Sequence, residues 1–411
     1  MPTGDGLLVR LMPTGTVSLA AFAQLCAAAR RYGNGVVEIT SRGNIQIRGL
    51  SETSAAPFAA AVAALDIAAE DGVPVHINPL AGLDAEEILD AHELAADLRR
   101  TLARRSIAAK LGAKVCVAID GGGALHLDGL AADVRLRAEP LNGGVALRVS
   151  VGGDGAGAAD LGLVSTADGV AAALLLLDVL ARHGRDARAR DVVAKEGTVK
   201  FRSAIADLLL SARPRESGDP VPDSRLRGNE REMVSPIGAY ALRNGSLAYG
   251  IGLAFGHSDA GALERLIDSA NDVGASGFRA APRRALIAIG LPSQAASAFA
   301  VAADKLGFIT RAGDSRCHVI ACAGAPVCAS AHIASRALAP LIAGKATGIV
   351  HISGCAKGCA HVAPAALTIV GTAEGCALVA NGSARDAPFA IVPTCELPAA
   401  IAKYRHETRH V

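Results

Sequence analysis

The chain has 411 residues, 51 % of them apolar and 3 % aromatic, with a formal charge of +2; that length exceeds one simple core, so two or more domains are expected. Near-balanced charge with no Lys/Arg-rich block argues against a general nucleic-acid binder, and so few aromatics argue against base-stacking platforms. No basic region leads into an apolar run at the N-terminus, and the most apolar stretch, 170–177, falls well short of the roughly 20 residues of a membrane span.

Along the chain, 7–12 alternates apolar and polar, 18–32 carries helical periodicity, 36–40 and 45–49 read as strands, and a second helix fits 54–66. Strand, helix, paired strands, helix is the order of a ferredoxin-like α+β half-unit. A shift of 241 positions then lays the chain on itself. Gly4 falls on Gly245, Gly15 on Gly256, Leu25 on Leu266 and Gly33 on Gly274. Arg42 falls on Arg283, Gly49 on Gly290, Leu50 on Leu291, Phe58 on Phe299 and Leu65 on Leu306. Glycines mark turns and leucines mark core, so matched types at one offset imply matched backbone roles. The period is far too long for a solenoid. Two related halves are expected, each a ferredoxin-like unit followed by an α/β unit: 1–70 and 71–211, then 236–312 and 313–411. Between them 212–235 is rich in Pro, Gly and charge and lacks apolar periodicity, the composition of an exposed linker.

The protein is expected to be soluble and cytoplasmic, so its nine cysteines are expected to be reduced, and metal binding is the live use for them. Cys322 and Cys328 form C-x5-C, and Cys355 and Cys359 form C-x3-C after 26 intervening residues. Structural zinc sites favour tighter knuckles in both pairs, and the C-x2-C-x2-C run of bacterial ferredoxins is absent. Four soft thiolates among glycines suit a [4Fe–4S] cubane, because small residues let backbone N–H groups approach the sulfides. Zinc and plain buried cysteines are the alternatives. Cys26 and Cys116 read as buried apolar residues, and Cys317, Cys376 and Cys395 fall outside the pattern.

The C-x5-C…C-x3-C pair resembles the cluster signature of the sirohaem nitrite and sulfite reductase superfamily. Its N-terminal strands are resembled by Gly6-Leu7-Leu8-Val9-Arg10-Leu11-Met12-Pro13 and by Glu38-Ile39-Thr40-Ser41-Arg42-Gly43-Asn44-Ile45-Gln46-Ile47-Arg48-Gly49. The finer wording, Ser353-Gly354-Cys355-Ala356-Lys357-Gly358-Cys359-Ala360-His361 with Asn78-Pro79-Leu80-Ala81-Gly82-Leu83-Asp84, is similar to the precorrin-3B synthase family within it. Lys357 stands where the sirohaem reductases carry Asn. The resemblance implies an α+β fold of duplicated ferredoxin-like half-domains with sulfite reductase-like α/β domains, the last of which carries the cluster. It also implies an NADH-linked monooxygenase that acts on a tetrapyrrole, precorrin-3A, with O2 and a partner reductase that delivers electrons. Oxygen would be activated at a separate mononuclear non-haem iron or beside the macrocycle. Sirohaem as a cofactor belongs only to the alternative reading, a sulfite or nitrite reductase. A non-enzymatic tetrapyrrole-binding electron carrier or scaffold is the third reading.

A tetrapyrrole with eight acidic arms needs several guanidinium forks. Arg10 and Arg42 are the leading candidates. Arg42, Asn44, Gln46 and Arg48 alternate along one strand and share a face, and a wholly polar strand face suits a ligand better than a core. The resemblance adds Lys114, and Arg283 reads as a vestige of Arg42. One departure stands out: the family has an Arg-Asn pair before the proline, whereas here His76-Ile77-Asn78 precedes Pro79, so either His76 substitutes or a carboxylate contact is lost. No catalytic residue and no iron ligand is assigned. His361 is either a loop histidine or a donor to cluster or substrate.

Overall fold

The computed structural model describes residues 2–210 and 234–407. The expected linker, 212–235, lies outside the described residues apart from its last two positions. The chain divides into two compact units, one of Met1–Ala68, Pro236–Ala239 and Leu247–Val411, the other of Ala69–Ser235 and Tyr240–Ser246. Among the described residues no helix is long and apolar enough to cross a membrane.

The first unit opens with a ferredoxin-like sheet of strands Gly6–Leu11, Ile45–Leu50 and Val36–Ile39, all antiparallel. Alternation decides which face is buried: Leu8, Val37, Ile39, Ile45 and Ile47 are all in the core. Helix Leu19–Tyr32 begins at Ser18, whose side chain accepts from Ala21 N–H at 3.2 Å, and it buries Phe22, Leu25, Cys26 and Ala29 against that face. Burial pushes the Cys26 thiol up to about 12, as befits an inert core cysteine. Helix Glu52–Ala63 starts with a Ser51/Ser54 capping box and buries Phe58.

The 241-residue shift is realised in three dimensions. Gly6–Leu11 is matched by Leu247–Gly252, Leu19–Tyr32 by Ala260–Asp272, Val36–Ile39 by Gly277–Ala281, and Ile45–Leu50 by Ala285–Leu291. Each half also lends the other a short strand. Val17–Ser18 pairs with Gly277 and Phe278 of the second sheet, and His257–Asp259 pairs with Val36, Val37 and Glu38 of the first. This reciprocal exchange closes an edge of each sheet. It also fuses the two cores: Phe22 meets Phe278 at 5.7 Å between ring centroids, and Phe278 meets Phe299 at 6.4 Å.

The rest of the first unit is an α/β sheet. Strands Val319–Ala321, Val350–Ser353 and Ala365–Thr372 run parallel, and Gly375–Gly382 and Ala390–Val392 return antiparallel. The second unit repeats that plan by itself, with Val75–Ile77, Val117–Asp120 and Ala132–Leu141 parallel, then Gly144–Gly153 and Ala159–Ser165 antiparallel. Its apolar stretch at 170–177 is part of the buried helix Gly169–Arg182. The architecture is α+β, with repeated ferredoxin-like and α/β sheets.

Candidate functional site

Cys322 follows strand Val319–Ala321, and Cys355 lies just past the adjacent parallel strand Val350–Ser353. Both cysteine loops thus leave the carboxyl ends of parallel strands, where open α/β sheets bind ligands. The first loop is turned by Cys328 N–H donating to Gly324 O at 2.8 Å, and it is tied to the second by His332 N–H donating to Gly354 O at 2.8 Å. Gly354 N–H donates to Cys322 Sγ at 3.0 Å, and Ser335 Oγ stands 3.5 Å from that sulfur. Helix Ser335–Ile342 begins beside this sulfur.

Cys322, Cys328 and Cys355 are half-buried and Cys359 is exposed; all nine cysteines are free thiols. The Cys359 thiol is pushed up by partial desolvation and then by Cys355, Cys322 and Cys328, so the four sulfurs form one electrostatic group. Gly4 walls the pocket. Ala329 N–H donates to Gly4 O at 3.0 Å, and a Cβ on Gly4 would collide with Cys328 Sγ. Among the described residues no three His, Cys, Asp or Glu side chains converge to hold a single metal ion. The ligands of a four-iron cubane stand further apart, and four thiols with a sulfur-directed N–H and a glycine wall fit such a group.

The arginine-bearing sheet lies in the same unit. With Ile45 and Ile47 in the core, Gln46 and Arg48 occupy the opposite face. Arg10 pairs across the sheet with Gln46, and Glu38 pairs with it from the other side. With its amide oxygen turned to Arg10, Gln46 accepts from Nη2 and Nε at 2.9 and 3.1 Å and donates to Glu38 Oε2 at 3.2 Å. Hydrogen bonding selects that orientation. Arg42 sits at the hairpin tip, where its N–H donates to Thr40 Oγ1 at 3.3 Å and its backbone bridges to Pro282 of the second half. Desolvation and then the charge of Arg42 lower the Arg10 pKa, so the two guanidiniums lie within electrostatic reach of each other. Asn44 is buried beside them.

Arg48 is differently engaged. Its Nε and Nη2 grip Asp5 at 2.7 and 2.6 Å, and its Nη1 reaches Glu38 at 3.3 Å. Burial alone would lower its pKa, but these carboxylates raise it. Glu38 also accepts from Arg336 at 2.7 Å, which pins the helix behind the thiol pocket to the arginine-bearing sheet. Sequence reasoning missed Asp5, Glu38 and Arg336, because alternation names a face and not its ion-pair partners.

The second unit repeats the strand-end loops without the cysteines. Asn78, the residue after strand Val75–Ile77, accepts from Gly121 N–H at 2.7 Å, as Cys322 accepts from Gly354 N–H. Its amide donates to Asp120 at 2.9 Å and to Leu125 O at 3.0 Å. A polar staple fills the position that a thiol holds in the other sheet. His76 is half-buried within its strand, and Lys114 is exposed before strand Val117–Asp120.

A family model of the nitrite/sulfite reductase ferredoxin-like half domain matches residues 1–65. A precorrin-3B synthase from Sinorhizobium sp. is 36 % identical over 98 % of this chain and 85 % of its own length. Sulfite reductase (ferredoxin) 1 of Mycolicibacterium paratuberculosis is 24 % identical over 43 % of this chain and 33 % of its own. Among solved structures, the NirA protein of Mycobacterium tuberculosis superposes with a TM-score of 0.71 over 96 % of this chain and 79 % of its own, at 19 % identity. That last likeness speaks to fold.

Proposed function

Because the chain belongs to the precorrin-3B synthase family of the nitrite and sulfite reductase superfamily, we propose that it converts precorrin-3A to precorrin-3B in aerobic cobalamin synthesis. One atom of O2 becomes a hydroxyl at the meso carbon between rings A and D, and a ring-A acetate closes a γ-lactone. The other atom leaves as water, with two electrons drawn from NADH through a partner reductase. Cys322, Cys328, Cys355 and Cys359 hold a [4Fe–4S] cluster, which when bound supplies electrons singly. Arg10 and Arg42 take acidic arms of the substrate, with Asn44 and Gln46 as polar contacts. Gln46 orients Arg10, and Arg48 keeps Asp5 and Glu38 neutralised.

The observation that carries this reading is the Arg336–Glu38 ion pair, which ties the thiol pocket to the cation-rich sheet within one unit. Such a tie suits an enzyme whose electron source and polyanionic substrate must keep a fixed separation.

The test is anaerobic purification with iron and sulfide counts and a visible spectrum, followed by turnover of precorrin-3A with 18O2 and a reductant. About four irons and four sulfides, a broad cluster shoulder and one labelled oxygen in the product are expected. Sirohaem bands in the purified protein would move the reading to a sulfite or nitrite reductase. Binding of the tetrapyrrole with no oxygen added would move it to a carrier.

A further inference from the structure

Around Glu38 the first unit gathers more positive charge than it neutralises. Asp5 and Glu38 face Arg48, Arg336 and Arg284, and Arg10 joins them through Gln46. Arg48 and Arg336 each hold a carboxylate. Arg284 does not: among the described residues its guanidinium has no hydrogen-bond or ion-pair partner, although burial lowers its pKa and Glu38 lies within electrostatic reach.

The fold goes to some trouble to present this side chain. Arg283 and Arg284 both have left-handed backbones, with φ of 62° and 63°, and so does Phe255, at 62°. Such conformations are strained outside glycine. Next to Phe255, Gly256 leaves the lane along which Arg284 runs; a Cβ there would stand 2.6 Å from Arg284 Cδ and 2.9 Å from Nε. The 241-residue shift lays Arg284 on Gly43, so the strained arginine replaces a glycine of the first half.

Two histidines, His351 on the central parallel strand of the cysteine-bearing sheet and His361 in the loop after Cys359, lie within electrostatic reach of it. His351 is fully buried, and neither Nδ1 nor Nε2 has a partner. Its ring stands edge-on to His361, with centroids 5.7 Å apart. His361 keeps one bond to the backbone of Pro364. Within this unit, the other described buried side-chain atoms without a partner are His257 Nδ1 and Arg336 Nε, and both belong to the same group of charges. Buried polar atoms are nearly always bonded, so a cluster of orphans around a free guanidinium is the mark of an unfilled ligand position.

We propose that Arg284, His351 and His361 form a carboxylate subsite that takes one acidic arm of the tetrapyrrole. The proposal rests on the tetrapyrrole reading above and extends it to the second half of the duplication. A carboxylate has room for the planar fork of Arg284 and for a neutral imidazole N–H. A free oxyanion such as sulfite or phosphate shares that chemistry, and the experiment separates the two.

The probe is uroporphyrin III, an octacarboxylate, titrated into the full-length protein by fluorescence quenching. Arg284→Gln is expected to weaken binding on the order of 10- to 100-fold, with partial recovery in Arg284→Lys and a smaller loss in His361→Ala. Arg283→Gln should bind as the wild type does. Circular dichroism confirms folding, and His361→Ala carries the test if Arg284→Gln fails to fold. If Arg284→Gln or His361→Ala is folded and binds like the wild type while Arg42→Ala is weakened, this subsite is refuted and the tetrapyrrole reading stands. If the wild type does not bind uroporphyrin, both fall. If sulfite or phosphate protects the wild type but not Arg284→Gln against heat, with uroporphyrin binding untouched by the substitution, a free oxyanion is the occupant and the side-arm assignment is overturned.

Discussion

Gly4 sits so close to Cys328 Sγ that even one methyl group has no place there. Gly4→Ala is therefore expected to shift the cysteine and lower the iron and sulfide bound per chain, with the circular dichroism spectrum preserved. A wild-type iron count in that variant would remove Gly4 from the pocket. Arg42 and Arg48 separate binding from stability. Arg42→Ala is expected to weaken uroporphyrin binding by about 1.5–3 kcal/mol, the worth of a charged hydrogen bond, while the cluster absorption is unchanged. Arg48→Met strands Asp5, while Glu38 keeps Arg336, and is expected to lower folding stability by about 3 kcal/mol, measured by urea unfolding. The four cysteines stood out by their paired spacing, and the structure sets both pairs in loops that follow adjacent parallel strands. Arg48 was legible as to its face but not its task, since its carboxylate partner Asp5 lies 43 residues away in sequence. Arg284 was passed over for its neighbour, because the shift matched Arg42 to Arg283 and a left-handed arginine leaves no sequence signature.

At the scale of elements, the regular strands and helices of the first ferredoxin-like sheet follow the alternation and periodicity in the sequence, within a few residues. The exchanged strands Val17–Ser18 and His257–Asp259 do not. Two or three residues carry no period, and their pairing is decided by distant chain. His257 makes that pairing sensitive to acid. It sits opposite Glu38, and burial, then the charge of Arg336, hold its pKa down to about 4 against an ordinary 6.5. The folded protein keeps this imidazole neutral while the unfolded chain takes up a proton below 6.5. Its contribution to stability is thus complete above 6.5 and is lost as pH falls through 4. His257→Gln is expected to flatten the decline in stability between those values, read from urea midpoints across the range. An unchanged slope would assign the acid sensitivity elsewhere.

For the whole molecule, one duplication explains the architecture, and one substitution of chemistry distinguishes its halves. The same strand-end position is Asn78 in one sheet and Cys322 in the other, and each accepts the N–H of a glycine one strand over. The sequence showed the repeat at fixed offset only for the ferredoxin-like parts; insertions of different length between the α/β strands hide it elsewhere. Because the ferredoxin-like halves exchange edge strands, each is expected to need the other. Fragments 1–210 and 234–411, produced together, should co-purify through that pairing, and either alone should aggregate through its open edges. Fragments that stay soluble and separate would show that the exchange is dispensable.

The contact between Gly4 and Ala329 also sets a timetable. At the usual pace of translation, the ribosome needs on the order of 15–65 s to reach Ala329 after passing Gly4. Through that interval the wall of the thiol pocket has nothing to lean on. Cys355 and Cys359 are made later still, so loading of iron belongs to the last stage of synthesis or after release.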